Sequence, residues 1–363
     1  MPRKASTRRF RLSRLAAAAA AFVLTLIATP ARHEPRAEPA TGVVIAPGFT
    51  AEVVVRDVGR PIQLAFDPAG RLLVLGHGRQ GDAAGEVHRF DVGRALPIDG
   101  ARTPRVVIPF SEAPRKTALG SLAVDPRTGD LYLGEENGNR VYRLSSDSRL
   151  TSVAVGLQHL VGGSSIAVDS DGRLIAVDYA SPETLGRSEV PPPPGLEVLG
   201  TGYQGPLIFR VALGEGTALP RRLDLAPPLF PRGWLSPPGE PLTRFMAVVA
   251  HPDGTLLLMD SLGQVFHLAA AGDHLASIDD LRRVMRLPAG HYHRTSLALA
   301  RDGALLVSTG FHVRRLFRVS AERSVTTIAS DLGDPGGVAV DAEGRIYVAE
   351  TALHRVIRIV PKQ

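Results

Sequence analysis

The sequence predicts an all-β protein, a six-bladed β-propeller with four-stranded blades, and three observations carry that reading. The first is a hairpin phrase of two hydrophobic strands around an acidic glycine turn. It occurs six times, as FDPAGRLLVLG, VDPRTGDLYLGE, VDSDGRLIAVD, HPDGTLLLMD, ARDGALLVST and VDAEGRIYVAE. Apolar runs on both sides of an Asp/Gly turn are what antiparallel strands require. The second is a third strand after each phrase, VHRF, VYRL, IFRV, VFHL, LFRV or VIRI, with Arg89, Arg143, Arg210, His267, Arg318 and Arg358 in register. The third is spacing: the turn glycines Gly70, Gly129, Gly172, Gly254, Gly303 and Gly344 recur every ~40 to 60 residues with one gap of about 80, near the period of propeller blades.

Taken in chain order, the N-terminus stands apart. Arg3, Lys4, Arg8, Arg9, Arg11 and Arg14 precede an apolar stretch from Leu15 to Ala28, and Thr29-Pro30-Ala31 supplies the small residues of a cleavage point. Residues 1–31 therefore read as a secretory signal, with an uncleaved anchor as the alternative, and residues 32–48 as a mature N-terminal segment. The expected location is exported, periplasmic or extracellular, with no membrane span after cleavage. The chain holds 42 Lys and Arg against 36 Asp and Glu, a formal +6 that those six leader residues supply. The body is then near neutral, which argues against a nucleic acid partner. The absence of cysteine excludes disulfides, thiol nucleophiles and thiolate metal sites.

Residues 49–363 form the propeller. A fourth strand follows the third at Arg105–Ile108, Ser152–Val155 and Val325–Ile328, but the last blade lacks one, because the chain stops just after Val360. Phe49–Val55 has the right alternation to supply it by pairing with His354–Val360, which closes the ring and leaves no open sheet edge. The long gap between Gly172 and Gly254 contains Pro182, Pro191 to Pro194, Pro206, Pro220, Pro227, Pro228, Pro231, Pro237, Pro238 and Pro241. Proline gives a ladder no donor, so this stretch reads as insertions at 181–205 and 227–244 instead of a seventh blade.

Topology then sorts the polar residues. The D-x-x-G hairpins lie on one face, so Asp67, Asp125, Asp169, Asp171, Asp253, Asp302 and Asp341 read as turn residues that bond nearby backbone. The loops leading into first strands and leaving second strands share the opposite face. There, six residues past each turn glycine, stand Gly76, Glu135, Asp178, Asp260, Thr309 and Glu350. Glu135, Asp178, Asp260 and Glu350 are candidate ligands for a hard cation such as calcium, which takes carboxylate oxygens; the alternative is that each acid caps its own turn. Neighbouring candidates for ligand contact are His77, Arg79, Glu136, Asn137, Tyr179 and His312. The lead-in loops add Gln63, Lys116, His159, Arg244 and the run His291-Tyr292-His293-Arg294. His291 and His293 alternate on an extended segment and could present two imidazoles as general bases. Trp234, with Tyr203 and Phe230, would be an apolar contact where the insertions roof this face. A Gly-x-Ser-x-Gly elbow, a P-loop and a HExxH helix are all absent.

The strings DPGGVAVDAEGRIYVAETALHRVIRIV and ALGSLAVDPRTGDLYLGEENGNRVYRL resemble NHL repeats, and more broadly the six-bladed propellers of the SMP-30, gluconolactonase and strictosidine-synthase group. The resemblance covers nearly all of residues 49–360. It implies, for the lactonase branch, a divalent cation at the channel mouth and hydrolysis of lactones or esters. The branch's Asn and Asp ligands precede first strands, where this chain has Gly162-Gly163-Ser164 and Pro335-Gly336-Gly337. The opening APGFTAEVVVRDVGRPIQLAFDPAGRLLVLGH also resembles soluble quinone-dependent sugar dehydrogenases, without their E-H-G-P-R-G-G-D-like cofactor segment. The expected function is a non-catalytic binding propeller holding a small molecule, glycan or protein partner on the insertion-roofed face. The alternatives are a calcium-dependent lactonase or esterase-like hydrolase and a quinone-dependent sugar dehydrogenase.

Overall fold

The computed structural model describes residues 38–79, 81, 83–110, 116–136, 139–180, 205–213, 218–232, 243–269 and 275–362. The expected signal segment, Asn137, the Tyr203 part of the first insertion and the Trp234 part of the second lie outside the described residues. Among the described residues no helix is long and apolar enough to cross a membrane.

Six antiparallel sheets carry the chain, each beginning at the axis. Blade 1 is Pro61–Phe66, Leu72–Gly76, Gly85–Phe90 and Arg105–Ile108; blade 2 is Leu119–Val124, Leu131–Glu135, Arg140–Leu144 and Leu150–Val155. Blade 3 is Ile166–Val168, Leu174–Ala180 and Gly205–Val211; blade 4 is Phe245–Ala250, Leu256–Asp260, Gln264–Leu268 and Leu281–Arg286. Blade 5 is Ser296–Leu299, Leu305–Ser308, Leu316–Val319 and Val325–Ser330; blade 6 is Pro335–Val340, Ile346–Glu350, Arg355–Pro361 and Phe49–Arg56. The six first strands touch in a cycle from blade 1 round to blade 6 and back, so the ring is closed.

Local chemistry explains the repetition. In each hairpin the aspartate side chain accepts from backbone two residues on, as Asp67 does from Ala69 at 3.0 Å and Asp341 from Glu343 at 3.1 Å. The same oxygen takes a second backbone N–H, from Arg71 at 2.9 Å and from Arg345 at 2.9 Å, and the glycine adopts a positive φ, 76° at Gly70. The turn therefore satisfies its own donors, which is what Asx chemistry does. The basic residue of the third strand stands opposite the second strand at one register throughout, Leu73 facing Arg89 and Tyr347 facing Arg358. Between blades the sheets bury leucine, valine and isoleucine, with Leu72, Val74, Leu133, Val177, Leu258 and Val348 fully inaccessible.

Closure occurs as the sequence predicts. Phe49–Arg56 pairs antiparallel with Arg355–Pro361, from Phe49 opposite Pro361 to Val55 opposite Val356. Val54 and Val55 are completely buried, and the Arg358 guanidinium donates to Glu52 at 2.6 Å across the seam. Further stitches follow: Val44–Ile45 pairs with the outer strand of blade 5, and Ile98–Asp99 runs parallel to Val55–Arg56. Among the described residues, the fourth position of blade 3 holds the isolated bridge of Phe230, bonded to Ile208 at 2.9 and 3.2 Å. Pro227, Pro228 and Pro231 around it have no N–H to extend a ladder.

Deleting residues 42–57 removes both stitches and the closing strand. The expected outcome is loss of the single cooperative thermal transition seen for the intact chain. A deletion variant that melts in one sharp step, within a few degrees of the parent, would refute closure as the source of cooperativity.

Candidate functional site

Glycine and serine shape the ring axis. A Cβ on Gly163 would lie 2.3 Å from the Thr295 carbonyl oxygen, and one on Gly337 would lie 2.3 Å from the Leu64 nitrogen. Only glycine lets these backbones approach, so blade 3 meets blade 5 across the axis and the Ser164 N–H donates to Thr295 at 3.0 Å. The buried hydroxyls of Ser164 and Ser296 share a hydrogen bond of 2.8 Å, and Ser296 also donates to Gln63 Oε1 at 3.3 Å. Blades 1, 3 and 5 are thereby joined over the axis, and the channel has a floor.

Above that floor lies a cavity of about 210 Å³ on the face opposite the D-x-x-G turns. Gln63, Gly163 and Gly336 line its base, Arg60, Arg294 and Asp334 its lead-in loops, and His77, Glu136, Phe311, Thr351 and His354 its walls. Arg60 and Asp334 stand immediately before the first strands of blades 1 and 6, and Arg294 two residues before that of blade 5. Each takes a left-handed backbone, φ 45°, 55° and 52°, and so does His354 at 53°. Such conformations cost side-chain-bearing residues roughly 1–3 kcal/mol and gather at ligand clamps. The Arg294 guanidinium pairs with Glu136 at 2.9 Å. His77 Nε2 lies 2.8 Å from the Leu119 carbonyl, which can only accept, so Nε2 carries the hydrogen and Nδ1 keeps its lone pair. Burial is the main cause that draws the His77 pKa below its ordinary value.

The carboxylates expected to share a cation do not gather. Glu135 accepts from Tyr142 at 2.9 Å, and Asp178 accepts from the Gln158 and His159 backbones. Asp260 takes Thr243, Leu262 and Gln264, and Glu350 takes the Gly333 N–H at 2.8 Å and Arg355 at 2.6 Å. All four are at most 1 % exposed, with oxygens already engaged by donors from their own or the adjoining blade. Among the described residues no group of three or more His, Asp or Glu could hold a metal ion. These side chains do not fit calcium, and the glycines standing where the lactonase branch has ligands serve the close axial packing instead.

His291 and His293 stand beside the cavity instead of lining it. Their rings stack at 6.3 Å, His312 meets His291 edge-on at 4.9 Å, and Phe311 lies 5.7 Å from His293. The short helix Gly310–Val313 brings Phe311 and His312 there, and Gly310 fits because a Cβ would sit on the His293 carbonyl. Burial chiefly lowers the His293 pKa, and its Nδ1 has no partner. Arg244 covers the Tyr179 ring at 4.8 Å and donates to His159 Nε2 at 2.7 Å. Arg79 pairs with Asp57 at 2.9 Å on the rim of a second cavity whose lining also includes His77. Arg60, Asp334, Phe311, Thr351 and His354 were not among the residues singled out from sequence; comparing the repeats one residue upstream of the first strand would have found the first two.

No protein family profile and no curated protein sequence matches the chain. Solved structures do. A gluconolactonase from Xanthomonas campestris superposes with a TM-score of 0.57 at 15 % identity, covering 92 % of this chain and 99 % of that one. A protein provisionally described as a glucose dehydrogenase-type oxidoreductase, from Thermus thermophilus, gives 0.51 at 19 % identity over 86 % and 100 %. A third, provisionally described as a gluconolactonase, gives 0.52 at 12 % over 88 % and 94 %. The resemblance to the NHL and SMP-30 propellers thus holds as a shared six-bladed fold.

Two outcomes test this geometry. Gly163 and Gly254 both have positive φ, but only Gly163 faces a close backbone neighbour. Gly254→Ala should cost about 1 kcal/mol and Gly163→Ala at least about twice that in denaturant unfolding; equal losses would refute the tight axial contact. Burial, then Arg244 and His293, lower the His159 pKa from 6.5 to about 4. Between those values the unfolded chain binds more protons, so stability is greatest above about pH 6.5 and falls as pH drops toward 4. His159→Gln should melt with a shallower pH dependence between about pH 7 and pH 5; parallel curves for variant and parent would remove His159 as the cause.

Proposed function

We propose that the protein is an exported binding propeller that holds a small polar organic molecule in the mouth cavity and leaves it chemically unchanged. The observation that carries this reading is the convergence of four left-handed side-chain-bearing residues, Arg60, Arg294, Asp334 and His354, on one cavity. Strain of that kind persists where surrounding structure over-determines it, as it does at ligand clamps. Phe311, 40 % exposed, lines the cavity and offers an apolar contact. A metal-dependent hydrolase is disfavoured because Glu135, Asp178, Asp260 and Glu350 spend their oxygens on internal donors. Export is supported by the basic and apolar leader of residues 1–31.

Protein recovered from the exported fraction should lack residues 1–31 by mass. Titration calorimetry of it against glucose, gluconate and L-leucine should show saturable one-to-one binding of at least one, recovered intact, and weakened about tenfold by Phe311→Ala. Turnover of the bound compound, or no binding across the panel, would sink the reading.

A further inference from the structure

We propose that the mouth cavity is built for a zwitterion, an α-amino acid with an apolar side chain, whose carboxylate pairs with Arg60 and whose ammonium pairs with Asp334. This deepens the mouth-binding reading and rests on it. Among the charged side chains lining the cavity, Glu136 and Arg294 neutralise each other at 2.9 Å. Arg60 and Asp334 are different: neither has a side-chain hydrogen bond or ion pair among the described residues. They carry opposite charge at the same position of adjacent blades, and both are held in the left-handed conformation.

Their separation is fixed by a hydrogen-bonded frame. Thr351 donates its backbone N–H to the Asp334 carbonyl at 3.1 Å and its hydroxyl to the Pro61 carbonyl at 2.6 Å. The Arg60 backbone N–H donates to His354 Nδ1 at 3.1 Å. One turn, Thr351 to His354, therefore ties down both lead-in loops, and Arg60 and Asp334 both line the same small cavity. A ligand with one charge would leave the other wall group uncompensated as water leaves, whereas a zwitterion satisfies both. Ile62, Phe311 and Pro335 supply the apolar part of the lining.

Calorimetry of the full chain with L-leucine, N-acetyl-L-leucine, L-leucinamide, gluconate and glucose, each against parent, Arg60→Gln and Asp334→Asn, decides the matter. L-leucine should bind, and either capped derivative should bind at least about tenfold more weakly, the loss of one charge-assisted hydrogen bond. The pattern should cross: Asp334→Asn should leave N-acetyl-L-leucine binding unchanged, and Arg60→Gln should leave L-leucinamide binding unchanged. Melting temperatures close to the parent's establish that both variants fold. Gluconate or glucose binding without L-leucine, capped derivatives binding as well as the amino acid, or a pattern that does not cross would each overturn the zwitterion while leaving mouth binding intact. No binding of any probe, glucose included, would overturn both.

Discussion

Backbone contact across the ring axis is the constraint on which the site depends. A propeller with side chains on every first strand keeps its innermost strands apart, and an axial channel remains. Here Gly163, Gly336 and Gly337 remove those side chains, and the missing Cβ atoms correspond to approaches no other residue could make. Blade 3 then reaches blade 5 directly, and the serines that follow or face these glycines find one another instead of water. Buried hydroxyls in an apolar ring would be costly alone; joined to each other, to Gln63 and to the backbone of Leu297 and Val338, they satisfy themselves. The same contact that tightens the ring converts a channel into a cup.

The blades were legible because each carries its own local evidence. Apolar alternation, an Asp that bonds backbone two residues on and a glycine at positive φ all lie within one phrase, so repetition could be read without tertiary information. Closure was legible by counting, since the last blade showed three strands and Phe49–Val55 had the alternation of a fourth. The third blade was half legible: its prolines argued against a seventh blade, but the pairing at its fourth position depends on the isolated bridge of Phe230 with Ile208. The axial floor was not legible at all. Ser164 and Ser296 are 132 residues apart, and a pair of glycines looks the same whether it marks a lost ligand or a close approach.

The four acids show why a repeated residue is weak evidence of a shared site. Glu135, Asp178, Asp260 and Glu350 stand at one position of the repeat, yet each satisfies a different set of local donors: a tyrosine hydroxyl, lead-in loop N–H groups, a turn with a threonine, and an arginine. Each is used by its own surroundings, with Asp260 alone accepting from four donors. Turning a carboxylate bound this way toward a common centre would leave buried donors unpaired. The residues that do face the cavity are those the repeat does not conserve in type, an arginine in blade 1, an arginine in blade 5 and an aspartate in blade 6. Variation in the lead-in loops is what a scaffold uses to shape a site.

The electrostatics of the mouth follow from which groups are desolvated. His77, His159 and His293 are driven toward the neutral form chiefly by burial, and nearby guanidinium groups add to it. They act as neutral rings instead of charges, and of the three only His77 lines the cavity. Glu136 and Arg294 cancel, and Arg244 is committed to His159 and the Tyr179 ring. What is left to select a ligand is the pair Arg60 and Asp334, whose side chains have no hydrogen-bond or ion-pair partner among the described residues. Strained backbone at both residues would relax if their loops were free, but the Thr351–His354 turn bonds both, so the strain is held by the last blade. That blade is completed only by the N-terminal strand. Ring closure and ligand selection therefore share one physical origin, and weakening the seam between Phe49–Arg56 and Arg355–Pro361 should loosen the cavity before it unfolds the ring.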